Sequence, residues 1–248
     1  MPVYGMWAPG YRWWRARTLT CMTGAERVVL PIFPLGTVLF PGLVLPLHIF
    51  EERYRDLVRT LVRRPEPERI FGVVAIRRGW EVAQATGEIE LYDVGCTAEI
   101  RDVAEHPDGT YDIVTVGRRR FAISEQLSAP TPYAQAAVTY LPEQPGPEGA
   151  ADALGPRVLA AFRTYLRAYR DGGAGEEQLP EDPLVLSHLV AATASLSVPD
   201  RQALLAAPDT ATRLHDELRL LHREIALFAR VRAVPASLSD LTARPGQN

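Results

Sequence analysis

The chain contains no lysine: all 27 basic residues among its 248 are arginine. A phosphate-binding loop of the GxxxxGK[ST] type needs that lysine beside its glycines, so P-loop nucleotide chemistry is excluded. Arginine does not replace lysine as a base, because its guanidinium stays protonated at any usable pH. Cysteine is almost as scarce. Cys21 and Cys96 show no CxxC spacing and cannot form a metal site alone, so they read as unpaired thiols in a reducing cytoplasm. No apolar run reaches the ~20 residues needed to span a bilayer. Neither sign of charge dominates, and a formal net charge of −3 gives no general attraction to nucleic acid or anionic membrane. No serine lies in GxSxG and neither cysteine lies in a catalytic signature.

What the chain does have is a dense apolar stretch, Leu30–Tyr54, broken by Pro31, Pro34, Pro41 and Pro46. A buried helix does not tolerate these prolines, since each removes an N–H and clashes one turn back, at about 3 kcal/mol. Short strands do, where the proline sits at a strand end, a turn or an edge. The stretch therefore reads as extended pieces bent at Pro34–Gly36 and Pro41–Gly42, with a helix starting near Glu51. Pro41-Gly42 is expected to form a tight bend that turns Phe40 and Leu43 into a barrel.

These residues also carry a resemblance. Leu30-Pro31, Phe33-Pro34-Leu35, Leu39-Phe40-Pro41-Gly42, Leu45-Pro46-Leu47 and Ile49-Phe50-Glu51 with Arg53-Tyr54 resemble the signature of the Lon-type amino-terminal domain, also called the Lon substrate-binding domain. Gly95-x-x-Ala98-x-Ile100, Gly117 with Arg120-Phe121, Arg201-Gln202-x-Leu204-Leu205 and Arg213-Leu214 follow in the same order, so the resemblance runs from about residue 28 to about 232. It implies a PUA-like, mostly antiparallel β-barrel followed by a small helical bundle, an α+β fold. It also implies a role in recognising polypeptide for an ATP-dependent protease. The Ser–Lys dyad of the Lon peptidase is impossible without lysine, so a stand-alone member without motor or peptidase is expected.

Periodicity supports the same division. Arg69–Gly79, Glu88–Val94, Thr97–Ala104, Thr110–Val116, Arg120–Leu127 and Tyr133–Leu141 read as strands, with Asp108-Gly109 as a hairpin turn. A helix is expected over Glu51–Arg64. After the Pro- and Gly-rich Pro142–Pro156, every periodic segment is helical. Val158, Leu159, Phe162, Leu166 and Tyr169 form one stripe, ended by Gly172-Gly173. Asp182-Pro183 opens Leu184–Leu196, Ser197 opens a short helix to Ala206, and Asp209 or Thr210 caps a long one carrying Leu214, Leu218, Leu221, Ile225 and Phe228. The expected organisation is a disordered tail or start-site extension over 1–21 (with Met22 as an alternative start), a barrel over 22–142 and a linker over 143–156. A helical bundle over 157–234 and a disordered tail over 235–248 complete it.

No catalytic, cofactor or metal residue emerges, and no cofactor is expected. His215 and His222 stand seven apart on one helix without a third ligand nearby, and read as solvated. His48 reads as a partly buried residue of the signature; His106 lies in the hairpin and His188 on a helix, neither with an evident partner. Glycines 172, 173 and 175 lack the strand–helix context of a dinucleotide loop. Arg118-Arg119-Arg120 is the best anion or nucleic-acid candidate, against the alternative of a solvated bend at Gly117–Arg119. Glu51 and Arg55 are expected to pair at the helix start, with Tyr54 packed on the barrel. The sequence reading is a non-enzymatic polypeptide-binding module, cytoplasmic, taking unfolded or tagged segments and possibly serving a separate protease. Its expected mechanism is an apolar cleft between barrel and helices combined with unpaired strand edges. The alternative is RNA or nucleotide-ligand binding by the barrel. The contact residues are unknown from sequence.

Overall fold

A computed structural model describes residues 27–78, 90–128, 130–169 and 178–233. The expectations for Met1–Cys21, Met22, Glu88–Ile89, Gly172–Gly175 and the tail beyond 234 lie outside the described residues.

Alternating burial generates the strands. In β1 (Arg27–Leu35), Leu30 and Ile32 face one way and Phe33 the other. β2 (Val44–Ile49) follows the Pro41-Gly42 bend, and α1 (Glu52–Val62) buries Tyr54, Leu57, Val58 and Leu61 on one stripe. A single 3-10 turn at Glu66–Glu68 leads into β3 (Ile70–Arg78). β4 is only Glu90–Leu91; β5 spans Val94–Glu105, β6 Tyr111–Leu127 and β7 Gln135–Tyr140. The sheet runs β1-β7-β6-β5-β3, and a parallel β1–β3 pairing closes it into a barrel. The remaining pairings are antiparallel.

Two expected strands are one. β6 continues through Gly117–Arg119, where a bend was the alternative reading. Its first half pairs β2 and its second half pairs β7, while β5 runs along both. Gly117 is the position that permits this: a Cβ there would lie 2.1 Å from the Phe40 carbonyl oxygen. Register shifts near Cys96–Ala98, Ile100–Asp102 and Ile123–Glu125 curve the long strands.

The barrel has two apolar faces. Leu30, Ile32, Val74, Phe121, Ala136 and Val138 fill the lumen. Phe33, Phe40, Phe71, Val73, Cys96 and Ala98 form a larger core with α1. Phe40 is fully buried, as the signature suggested, but it belongs to this second core and not to the lumen. Gly42 takes φ +81°, the left-handed bend expected of Pro41-Gly42.

α2 (Ala150–Tyr169), α3 (Pro183–Thr193), α4 (Val198–Ala206) and α5 (Thr210–Ala233) make the bundle. Asp182 and Ser197 cap as expected, accepting from the backbone N–H of Val185 and Asp200. Asp209, accepting from Thr212 N–H at 2.7 Å, caps α5. The stripe Leu214, Leu218, Leu221, Ile225 and Phe228 packs on Val158, Phe162 and Tyr165 of α2, as a bundle and not as a separate coiled-coil seam. The expected linker differs. Residues 150–156 are already helical, with Pro156 inside α2. The Gln144 and Pro145 carbonyls accept from Thr210 and Ala211 N–H, satisfying orphan donors at the start of α5.

Candidate functional site

The arginine run is consumed internally. Arg118 Nε donates to Glu99 at 2.6 Å. The Arg119 guanidinium lies 3.8 Å from the centre of the Tyr140 ring. Arg120 is buried: its Nε donates to Glu143, and Nη1 donates to the Leu205 and Ala207 carbonyls, each at 2.7 Å. Those carbonyls end α4, where a cation is favoured. The run thus ties the barrel to the bundle and offers no free cationic cluster.

The seam between barrel and helices is likewise filled. Ala191, Leu204, Leu205 and Leu220 belong to the same buried core as Phe33, Phe40 and Phe71, where an open apolar cleft was expected. Arg213, fully buried, donates to Leu204 O and Ser187 Oγ at 3.0 Å each and to Glu143 at 3.5 Å, so one carboxylate bridges two buried guanidiniums. His188 touches the Phe40 ring at 6.4 Å between centroids. Its burial, with Arg213 and Arg120 beside it, holds the imidazole pKa well below the ordinary 6.5, so it is neutral. Glu217 on α5 is also buried, and neither carboxyl oxygen has a hydrogen-bond partner among the described residues. Desolvation pushes its pKa well above 4.5 and keeps it protonated. Cys96 is a buried free thiol that desolvation holds above its usual range.

The Glu51–Arg55 pair does not form. Glu51 has extended backbone as the N-cap, so helical i,i+4 spacing does not yet apply to it. It pairs instead with Arg53 at 2.7 Å, and Arg55 pairs with Glu52 at 2.8 Å. Tyr54 packs on the barrel as expected, stacked 4.1 Å from Phe33, and burial raises its hydroxyl pKa to about 12.

What stays available is the free side of β2. Among the described residues β2 pairs with β6 and with no other strand. Its outward positions Pro46 and His48 stand opposite Val114 and Asp112 on β6, and all four are exposed. Phe50 follows directly, with 56% of its surface exposed and its ring stacked on His48 at 6.3 Å. The apolar members of this face are Pro46, Val114 and Phe50.

The same face holds a constellation that sequence reasoning missed. His48 Nδ1 and His106 Nε2 each lie 2.7 Å from Asp112, on its Oδ1 and Oδ2 respectively. These hydrogen bonds hold the Asp112 carboxyl below its usual range. His106 sits in the β5–β6 hairpin, pinned by Gly109 N–H to His106 O and Thr110 N–H to Asp108 Oδ1. By contrast, His215 and His222 are exposed on α5, as expected. His222 lines a groove of about 380 Å³ between α2 and α5 with Arg157, Ala161, Leu218 and Ile225.

Comparison with known proteins decides the family. The substrate-binding domain of ATP-dependent protease La (LON) matches residues 29–223. The chain belongs to the Lon substrate-binding domain family. It is 31% identical over 201 residues to Lon protease 2 of Myxococcus xanthus, covering 79% of this chain and 24% of that protein. It is 30% identical over 199 residues to Lon protease 2 of Syntrophobacter fumaroxidans, again 79% and 24%. The chain thus spans about a quarter of the length of these curated relatives. A crystal structure of a Lon N-terminal domain protein from Xanthomonas campestris matches with TM-score 0.56 and 25% identity, over 77% of this chain and 98% of that one. The N-terminal domain of a Mycobacterium avium complex Lon protease shares the fold at TM-score 0.55 and 19% identity, over 80% and 98%. The α+β architecture, a PUA-like barrel followed by a helical bundle, is that of Lon N-terminal domains. The matched part of the relatives is their substrate-binding segment and not the catalytic one. Among the described residues no helix is long and apolar enough to cross a membrane.

Proposed function

We propose that this chain is a non-enzymatic polypeptide-recognition module of the cytoplasm that engages extended, apolar-bearing segments along β2. Three facts support the reading. The family is described as the substrate-binding domain of an ATP-dependent protease, and a protease acts on polypeptide. β2 has one unpaired side among the described residues. An aromatic ring, Phe50, stands exposed at its end, and that ring is the observation that carries the proposal.

An extended segment laid along β2 gains main-chain hydrogen bonds on the open side and shallow contacts with Phe50. Pro46 supplies no N–H in the middle of that side, which shortens the hydrogen-bonded ladder and discourages edge-to-edge aggregation. The contact is therefore brief, reversible and tolerant of sequence, as suits recognition of many unfolded clients. Delivery of those clients to a protease, attached or separate, is part of the proposal.

The alternative of RNA or nucleotide-ligand binding follows from the barrel's general shape, with Arg118–Arg120 in its favour, and those arginines are engaged with Glu99, Tyr140 and Glu143. The test is fluorescence anisotropy with a labelled unfolded polypeptide and, in parallel, a labelled single-stranded RNA. Saturable polypeptide binding weakened by Phe50→Ser supports the proposal; RNA binding with no polypeptide binding overturns it.

A further inference from the structure

We propose that His48, His106 and Asp112 form a divalent transition-metal site on the face of the β2–β6–β5 ribbon, with zinc the best-fitting ion. The donor atoms of the three residues lie within 4.8 Å of one another. Two imidazoles and one carboxylate are the ligand types that select zinc, nickel or cobalt over the harder magnesium and calcium, which prefer all-oxygen shells.

The three ligands sit on a rigid frame. His48 and Asp112 are directly opposed partners in the β2–β6 ladder, and His106 sits at the end of β5 in a hairpin closed by its own backbone bonds. Their approach requires that frame, since 64 residues separate His48 from Asp112. Zinc bound at about 2.0–2.2 Å to each donor in tetrahedral geometry sets donors roughly 3.3–3.6 Å apart. The present 2.7 Å contacts, one to each carboxylate oxygen, therefore open by roughly 0.6–0.9 Å, while donor atoms that now lie within 4.8 Å of one another draw together.

The ion takes the place of the hydrogen atoms that now bridge each ring to the carboxylate. His48 would bind through Nδ1 and carry its proton on Nε2; His106 would bind through Nε2 and carry its proton on Nδ1. No bond to carbon changes. Side-chain exposures of 57% for His48 and 40% for His106 leave both rings in contact with solvent. Three protein donors leave a fourth position to water. This site stands independently of the polypeptide reading.

The test is titration of tag-free, chelator-stripped full chain with zinc chloride by calorimetry, and with cobalt chloride by visible spectroscopy. Expected are one zinc per chain, a rise in melting temperature on zinc addition, and low-symmetry cobalt bands. His48→Ala, His106→Ala and Asp112→Asn should each weaken zinc binding by more than about tenfold. His215→Ala and His222→Ala should leave it unchanged, and magnesium chloride should not compete. The three ligand residues are exposed or half-buried, so the variants should fold, which circular dichroism checks. Absence of zinc binding, binding insensitive to the three substitutions, or loss on His215→Ala or His222→Ala would each overturn the assignment.

Discussion

Replacing Arg120 by methionine tests whether the seam holds barrel and bundle together. The guanidinium is 1% exposed and makes contacts in three directions: Glu143 at 2.7 Å, the Leu205 and Ala207 carbonyls at 2.7 Å each, and Pro142 O at 3.3 Å. Methionine fills a similar volume, so the loss is electrostatic and not a cavity. Two carbonyls at the end of α4 lose a buried donor, at about 1–3 kcal/mol each. Glu143 keeps only the longer contact to Arg213. Against this, the folded state no longer pays for desolvating a cation. Removing one member of a buried charged cluster costs about 3–5 kcal/mol on balance, and that is the loss expected in urea denaturation followed by circular dichroism. Lysine at the same position should rescue little, because a point charge does not reach all three directions. The partner matters as well. The double variant Arg120→Met with Glu143→Gln should cost less than the sum of the two single changes, by roughly 0.5–3 kcal/mol. A loss below about 1 kcal/mol for Arg120→Met, or strict additivity with Glu143→Gln, refutes the reasoning.

Other changes probe separate parts of the account. Gly42→Val places a β-branched residue at φ +81° with no neighbour among the described residues within 4 Å of its Cβ, so backbone strain alone should lower stability by about 1–3 kcal/mol in the same assay. Phe40→Ala should cost about 3–5 kcal/mol, because its ring is fully buried between the barrel wall and His188. Glu217→Gln should gain stability relative to the parent as pH rises from 4.5 to 7. In that window the native carboxyl keeps a proton that the unfolded chain has lost, so the parent loses up to about 1.4 kcal/mol per pH unit and the amide does not. Melting temperatures of the pair at pH 5 and pH 7 that differ by a constant amount would contradict a neutral, buried Glu217.

Much of the fold was legible because its signals are local. The prolines of Leu30–Tyr54 spoke for strands over a helix, although Pro31 and Pro34 lie within the nine-residue β1 and Pro46 within β2; Gly42 marked a positive φ, and Asp182, Ser197 and Asp209 marked helix starts whose side chains do accept backbone N–H groups. What failed depended on contacts between distant residues. The Pro- and Gly-rich stretch before Pro156 has the composition of a linker. Its carbonyls nevertheless serve α5, and its second half is helical. Arg118–Arg120 looks like a solvated cationic run until β6 passes it through the seam, where Glu143 and the end of α4 claim the third arginine. The candidate face was the least legible part. His48, Phe50, His106 and Asp112 meet only once β2 takes its register on β6, and the sequence signal available was limited to a histidine inside an apolar strand.

The central proposal is that extended polypeptide is held along the open side of β2 by main-chain bonds beside Phe50. Its most direct test is a competition measured by fluorescence anisotropy among three peptides of identical sequence, one unmodified and two N-methylated at alternate residues so that one or the other edge can no longer donate. The account predicts that the unmodified peptide binds saturably, that methylation on the edge facing β2 weakens it about tenfold or more, and that methylation on the opposite edge does not. It also predicts a comparable loss with the unmodified peptide on Phe50→Ser. Equal affinity for all three peptides, with no effect of Phe50→Ser, would contradict binding at β2.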